Sequence, residues 1–553
     1  MISESHISTK ANRSFHALGG PWSIGAILIA LIVLTPIFAV IYLAFFPTQN
    51  IWPHLISTTL PRYFTTTVGL MVSVGFWAAL IGTATAWIVS RYQFFGARWV
   101  EWLLLMPLAI PAYVGAYALV DLLEYAGPVQ TTLRSYMGWT TSRDYWFPEI
   151  RSFGAAVVVL TLSLYPYVYL LTRTAFREQS AAADEVAQSL GVNAFMRFVR
   201  IGLPLARPAI AAGVAIVMME TVNDFGTVDY FSVQTLTTGI FSVWMQSNNA
   251  GGAAQIASVV LTMIVLLVTL EKLGRNKMRF FALSTRHRPL DKKPLYGLQS
   301  GIAFGICMTP VFFGFVIPLV VLGDHALHHV DEWLNPDLFV AVRNTLFTGT
   351  IAALTTVIAA GFMVYGVRLS GHRLPRILLP ITTIGYAAPG AVLGVGILIP
   401  LAALDNAIAD MIEAWFGVDI GLILTGTAVA LIFSYCVRFF AIAQGAADAA
   451  MGRISPNLAN AARSLGRTHY QVLREIYLPL LKGSFGSALL LVFVDCVKEL
   501  PATLLLRPFN FNTLATRVHD QASLENLAQA APAAIVMIVV GVSAVALLAR
   551  ANR

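Results

Sequence analysis

The chain has 553 residues, of which 57% are hydrophobic and only 12% charged, and its mean hydropathy is +0.72. A soluble domain carries about twice that charged share, so the composition excludes an ordinary soluble enzyme and defines an integral membrane protein. The formal charge of +8 does not call for a nucleic-acid partner, because the basic residues gather in alternate loops between apolar stretches, where they report topology.

Residues 1–20 are polar, with Lys10 and Arg13, and the apolar run from Ile24 to Phe46 is longer than a signal-peptide core and lacks a small-residue cleavage site. It is expected to be a retained first span. At about 20 helical residues per crossing, twelve spans are expected. They cover 22–46, 64–90, 101–122, 152–176, 207–228, 252–271, 299–323, 341–367, 375–403, 420–440, 481–500 and 529–549. The period-two alternation of a barrel strand is absent, so the expected fold is all-α.

The segment from Lys272 to Lys293 holds Arg275, Lys277, Arg279, Arg286, Arg288 and Lys292, whereas 229–250 and 404–419 hold no Lys or Arg. The positive-inside rule therefore puts both termini in the cytoplasm, with the acidic stretches Asp324 to Asp337 and Asp405 to Asp419 outside. Cys307, Cys436 and Cys496 all fall in expected spans without metal or redox spacing, and are expected to be apolar packing residues.

The sequence repeats itself. From Glu185 it reads EVAQSLGVNAFMRFVRIGLP and from Asn460 NAARSLGRTHYQVLREIYLP, at a constant offset of 275. Ala187 pairs with Ala462, Gly191 with Gly466, Ile201 with Ile476 and Pro204 with Pro479. Six expected spans belong to each copy in the same order, so the chain divides into parallel halves, 1–290 and 291–553. Each repeated segment, about 180–206 and 455–481, reads as a short helix, a turn and a second short helix. Ser180 and Ser455 are expected N-caps of the first helix, the latter followed by Pro456. Gly191 and Gly466 supply a left-handed turn residue. Asn193 and Thr468 cap the second helix, with Gln471 at capping-box spacing from Thr468, and Pro204 and Pro479 are expected to end the unit.

The spacing E-x-A-x3-G-x9-I-x-L-P resembles the cytoplasmic "EAA" loop of ABC-importer permeases of the binding-protein-dependent type. In that family the loop docks on a separate ATPase. The resemblance implies ATPase-coupling roles for Glu185, Ala187, Gly191, Ile201 and Pro204, and for Asn460, Ala461, Ala462, Gly466, Ile476 and Pro479. It further implies two copies of the ATPase and a periplasmic substrate-binding protein. The second copy departs from the pattern, since Asn460 stands where Glu185 does, so the two docking contacts are expected to differ. No G-x4-G-K-[ST] phosphate loop occurs. No cofactor is therefore expected in this chain, ATP and Mg being bound by the partner.

Each loop is followed by an apolar stretch carrying three polar residues: Glu220, Asn223 and Asp224 in the first half, Asp495, Lys498 and Glu499 in the second, again at the offset of 275. Their i, i+3, i+4 spacing would put each trio on one helix face. Glu220 lies about 20 Å from Arg207 at 1.5 Å per residue, in the outer third of the membrane. Ionisable groups at such depth face a polar path or a partner. Two readings stand: a cation pathway including Asp229, or helix pairing, for instance of Lys498 with Glu220 or Asp224.

The wording NDFGTVDYF with TLTT, and KELPATLLLRPFNFNTLA, is similar to ferric-iron importer permeases. That implies transient oxygen donors such as Asp224, Asp229 and Tyr230 rather than a tightly bound metal. Fused thiamine permeases share the layout. The stretch DHALHHVDEW offers Asp324, His325, His328, His329, Asp331 and Glu332, whose residue types suit a metal but equally a solvated loop. Outside the class, an ion-coupled secondary transporter also has two parallel six-span halves, though it would need no ATPase-docking loops.

Overall fold

The computed structural model describes residues 21–47, 49–179, 181–276, 292–370 and 373–551. They are helical apart from turns and one parallel two-residue ladder, Tyr92–Gln93 against Lys293–Pro294. Among them, eleven helices are long and apolar enough to cross a bilayer, and a helix pair, Ala97–Ala109 and Ala112–Met137, bent by 90°, brings the number to twelve if the pair is one span.

Four expected boundaries move, each for a local reason. The third span breaks at Pro111, whose extended backbone (ψ 141°) caps the helix that follows and whose missing N–H cannot continue the ladder. In the second half the corresponding stretch breaks before Pro389 (ψ 147°), and the apolar span is Gly390–Phe416 rather than 375–403. That helix includes Asp405, expected in a loop. Its carboxylate is buried and accepts the N–H groups of Ile423, Leu424 and Thr425 at 3.0, 2.9 and 2.7 Å. The segment so held is not helical, and the next span starts only at Ala428, capped by Thr427.

The fourth change concerns the repeated loops. Pro204 and Pro479 do not end a unit: helix runs from Ala194 to Asn223 and from His469 to Lys498. One π turn precedes each proline, Phe198–Gly202 and Leu473–Tyr477. There the Leu203 N–H reaches the Phe198 carbonyl, and the Leu478 N–H that of Leu473. A π turn absorbs the register fault that a proline without an N–H creates. Each loop is thereby joined to its span by continuous helix.

The chain forms two compact units that do not follow the sequence halves. The first combines the N-terminal helix with Ser247–Ser258 and Phe339–Thr513; the second combines Ile51–Gln246 with Val259–Leu338 and Leu514 onward. In the first unit Trp22 stacks on Phe362 (5.0 Å) and meets Tyr365 edge-on (5.1 Å), and Gly396 lets Gly390–Phe416 pack on the backbone of Pro36. In the second unit the helices Leu60–Arg91, Phe153–Arg177 and Leu203–Asn223 converge on Val168. Gly82 and Gly213 both abut it, and a Cβ at either would come within 2.8 Å of it. Tyr165 and Tyr169, fully buried, donate to the carbonyls of Leu104 and Glu101 at 3.0 and 2.9 Å. The Glu101 carboxylate pairs with Arg173 and Arg177. Cys307 and Cys496 are buried and Cys436 half-buried, all as free thiols.

Candidate functional site

The repeat seen in the letters is a repeat in hydrogen bonds. The helix Ala181–Ser189 ends where Gly191 adopts φ +74°, with Gly191 N–H donating to Gln188 and Val192 N–H to Ala187. The helix Pro456–Ser464 ends where Gly466 adopts φ +84°, with Gly466 N–H donating to Arg463 and Arg467 N–H to Ala462. Both bonds recur at the offset of 275. Asn193 accepts from Met196 N–H at 2.8 Å, Ser455 from Asn457 N–H at 3.3 Å, and Thr468 with Gln471 closes a full capping box. Ser180 lies outside the described residues.

Glu185 and Asn460 are exposed, Ala187 is buried, and Ala462, Ile201 and Ile476 are half-buried. Ala461 and Pro479 are exposed and Pro204 is half-buried. Two features were not singled out from the sequence. Leu190 and its counterpart Leu465 are 76% and 83% exposed, and Phe195 and Tyr470 are 72% and 62% exposed. These apolar side chains stand bare at matching places on two polar loops, and their recurrence at one offset was the available signal. Thr468→Ala removes the box and is expected to cost about 1 kcal/mol locally, seen as faster amide exchange over His469–Val472 than in wild type.

The polar trios are not intact helix faces. The helices end at Asn223 and Lys498, and Asp224 (ψ 134°) and Glu499 (ψ 119°) stand beyond them in extended backbone. Each carboxylate caps the short helix that follows. Asp224 accepts Thr227 N–H and Val228 N–H, both at 3.1 Å, and the Thr227 hydroxyl at 2.9 Å. Glu499 accepts Ala502 N–H and Thr503 N–H, both at 3.0 Å, and the Thr503 hydroxyl at 2.8 Å.

The environments of the two caps then diverge. Glu499 is buried with the Arg438 guanidinium 3.6 Å away, and Gly390 packs against both groups. The position at the same offset from Arg438 in the first half is Ser163. Lys498 lies within electrostatic reach of Asp495 on its own helix. Asn223 is buried with no partner for its side-chain oxygen, Glu220 is half-buried, and Asp229 is exposed.

Beside this break, at the end of the second unit that the charge pattern puts outside, lies a cavity of about 370 Å³ lined among others by Tyr117, Asp121, Glu124, Tyr230, His325 and Glu525. Arg151 bridges Glu124 (3.2 Å) and Glu525 (2.8 Å) and lies over the Tyr230 ring at 5.0 Å. Tyr117 meets Tyr230 edge-on at 4.5 Å and hydrogen-bonds His519 Nδ1 at 2.8 Å. His325 Nε2 sits 3.0 Å from Asp121, which draws one residue of the histidine-rich stretch into the wall, while His328 returns to Asp324. Of the three oxygen donors singled out earlier, Tyr230 lines the cavity, Asp224 is engaged as a cap and Asp229 is exposed. Among the described residues no three His, Cys, Asp or Glu side chains are grouped to hold a metal ion.

Eleven span-length helices with a bent helix pair, a duplicated loop continuous with its span and a polar break in the following helix are the features that a transmembrane permease needs. The family described as "Binding-protein-dependent transport system inner membrane component" matches residues 78–279, and over that stretch the chain is similar to permeases of this class. It is 26% identical to the Fe(3+)-transport system permease protein FbpB 2 of Haemophilus influenzae, over 85% of this chain and 86% of that protein. It is 22% identical to the ferric transport system permease protein FbpB of Actinobacillus pleuropneumoniae, over 88% of this chain and 72% of that one. A sulfate transport system permease protein, CysT of Escherichia coli, matches 44% of this chain at 25% identity.

Proposed function

We propose that this chain carries ferric iron across the membrane, receiving it from an external binding protein and driven by two copies of an ATPase docked on the loops around Gly191 and Gly466, with both termini in the cytoplasm. The observation that carries the substrate is the wall of the outer cavity. It gathers Asp121, Glu124, Asp324 and Glu525 with two tyrosines, and hard cations take oxygen ligands of this kind. The charge asymmetry supports it. The cap in the second half is neutralised by Arg438, whereas the cavity wall is acidic and answered at its rim by Arg151. The alignments with ferric permeases over most of their length support the same substrate.

The mechanism is alternating access. ATP binding moves the docked loops, and continuous helix carries that motion into the spans, because no flexible hinge separates Ala194 from Asn223 or His469 from Lys498.

The test is transport in proteoliposomes holding the chain, its ATPase and its binding protein, with ferric iron and thiamine compared. Ferric iron is expected to stimulate hydrolysis and thiamine not to. The double variant Asp121→Asn, Glu525→Gln is expected to lower iron import about tenfold, the factor that 1.4 kcal/mol represents. Stimulation by thiamine alone, or full iron import by the double variant, would sink the substrate assignment.

A further inference from the structure

An apolar cavity of about 840 Å³ lies in the second unit, between the helices Leu60–Arg91 and Ala194–Asn223 and beside Ile306. Phe76, Leu80, Trp87, Phe198, Ile210 and Ile306 form its apolar walls. Phe76 and Leu80 are more than half exposed, so it opens along the surface of the spans.

In the first unit the loop-side part of the corresponding place is packed, with Trp22 stacked on Phe362, the repeat partner of Trp87. Phe198 and Ile210 have Leu473 and Phe485 as repeat partners, and these pack in a cluster with Trp22, Tyr365 and Tyr477. The N-terminal helix supplies that plug once, so the second copy of the groove stands without one.

Two polar groups mark one level of the open groove. Thr83 is 6% exposed and lines it, and its hydroxyl has no hydrogen-bond partner. Arg207 is exposed and lies four residues from Leu203 and three from Ile210, hence on the helix face that lines the groove. The levels match. Gly75 abuts Val214 and Met218, and Gly202 abuts Trp87, so on these antiparallel helices Thr83 is opposite Arg207. Toward the membrane centre from this tier the walls are apolar; toward the loop lie Trp87 and Tyr92, residue types that settle at a bilayer interface.

We infer that the groove holds one anionic phospholipid of the inner leaflet, its phosphate at Arg207, an ester oxygen accepting the Thr83 hydroxyl, and an acyl chain along Leu80, Phe76 and Ile306. Phe195 and Phe198 in the groove wall belong to the continuous helix that carries the first docking loop, so the lipid braces that loop on its membrane side. An apolar chain fits the exposed walls, and a phosphate complements the cation set among them.

Native mass spectrometry of the full chain, purified from bilayers of phosphatidylglycerol and phosphatidylcholine in equal amounts, tests this. Wild type is expected to retain one phosphatidylglycerol that survives delipidation. Ala84→Trp and, from the facing helix, Ile306→Trp fill the groove and are each expected to lose it. Arg207→Gln is expected to abolish the preference for phosphatidylglycerol over phosphatidylcholine. Equal retention by wild type and both tryptophan variants, or an unchanged preference in Arg207→Gln, overturns the proposal.

Discussion

Gly191→Pro is expected to abolish stimulation of ATP hydrolysis by loaded binding protein while leaving the chain inserted and folded. Gly191 sits at φ +74°, and proline is locked near −65°. The turn that ends Ala181–Ser189 and aims Leu190 and Phe195 outward cannot form with proline there. Gly191→Ala keeps the turn at a cost of about 1–2 kcal/mol for a left-handed residue with a Cβ, so a graded loss is expected, alanine mild and proline severe. No heavy atom beyond its chain neighbours lies within 4 Å of where a Cβ on Gly191 would stand, so a side chain there meets no packed neighbour and folding is expected to be spared. Gly466→Pro, at φ +84°, is expected to act in the same direction on the second contact. Measurement in proteoliposomes decides it: a proline variant hydrolysing ATP at the wild-type stimulated rate would remove the coupling role from that loop.

Glu499→Ala is expected to destabilise the protein by about 3–5 kcal/mol, because it leaves Arg438 buried without its counter-charge and strips the acceptor from Ala502 and Thr503 N–H. Asp224→Ala removes the matching cap in the first half, where the offset position holds Ser163 rather than an arginine. Its cost is expected near 1 kcal/mol. Thermal unfolding in detergent compares the two, and equal shifts would show that capping alone matters. The double variant Arg438→Leu, Glu499→Ala removes both charges and is expected to recover part of the loss. If it is no better than the single variant, the ion pair is not the source of the effect.

Much of this was legible in the letters because it depends on local rules. Span count follows from apolar length. The loops follow from a repeat whose glycines, caps and capping box are short-range devices, and Gly191, Gly466, Asn193, Ser455 and Thr468 all take their expected places. The polar trios were only half legible. Their spacing suits a helix face, but an Asp or Glu followed closely by Thr is also a cap, and the backbone N–H groups at the break bound Asp224 and Glu499 more favourably than continued helix would have done.

The sequence by itself therefore determined an integral membrane protein with a repeated loop, since composition, periodicity and self-similarity are properties of the chain read in order, and the resemblance of that loop to a family motif pointed to a permease. Only the tertiary structure decided which elements share a unit. Gly396 admitting the N-terminal helix to the second half's core, Arg438 reaching Glu499, and Asp121, Tyr230, His325 and Glu525 meeting at one cavity join residues from about 60 to more than 400 positions apart. Such encounters are set by packing across the fold, for which no local pattern in the sequence carries a signal.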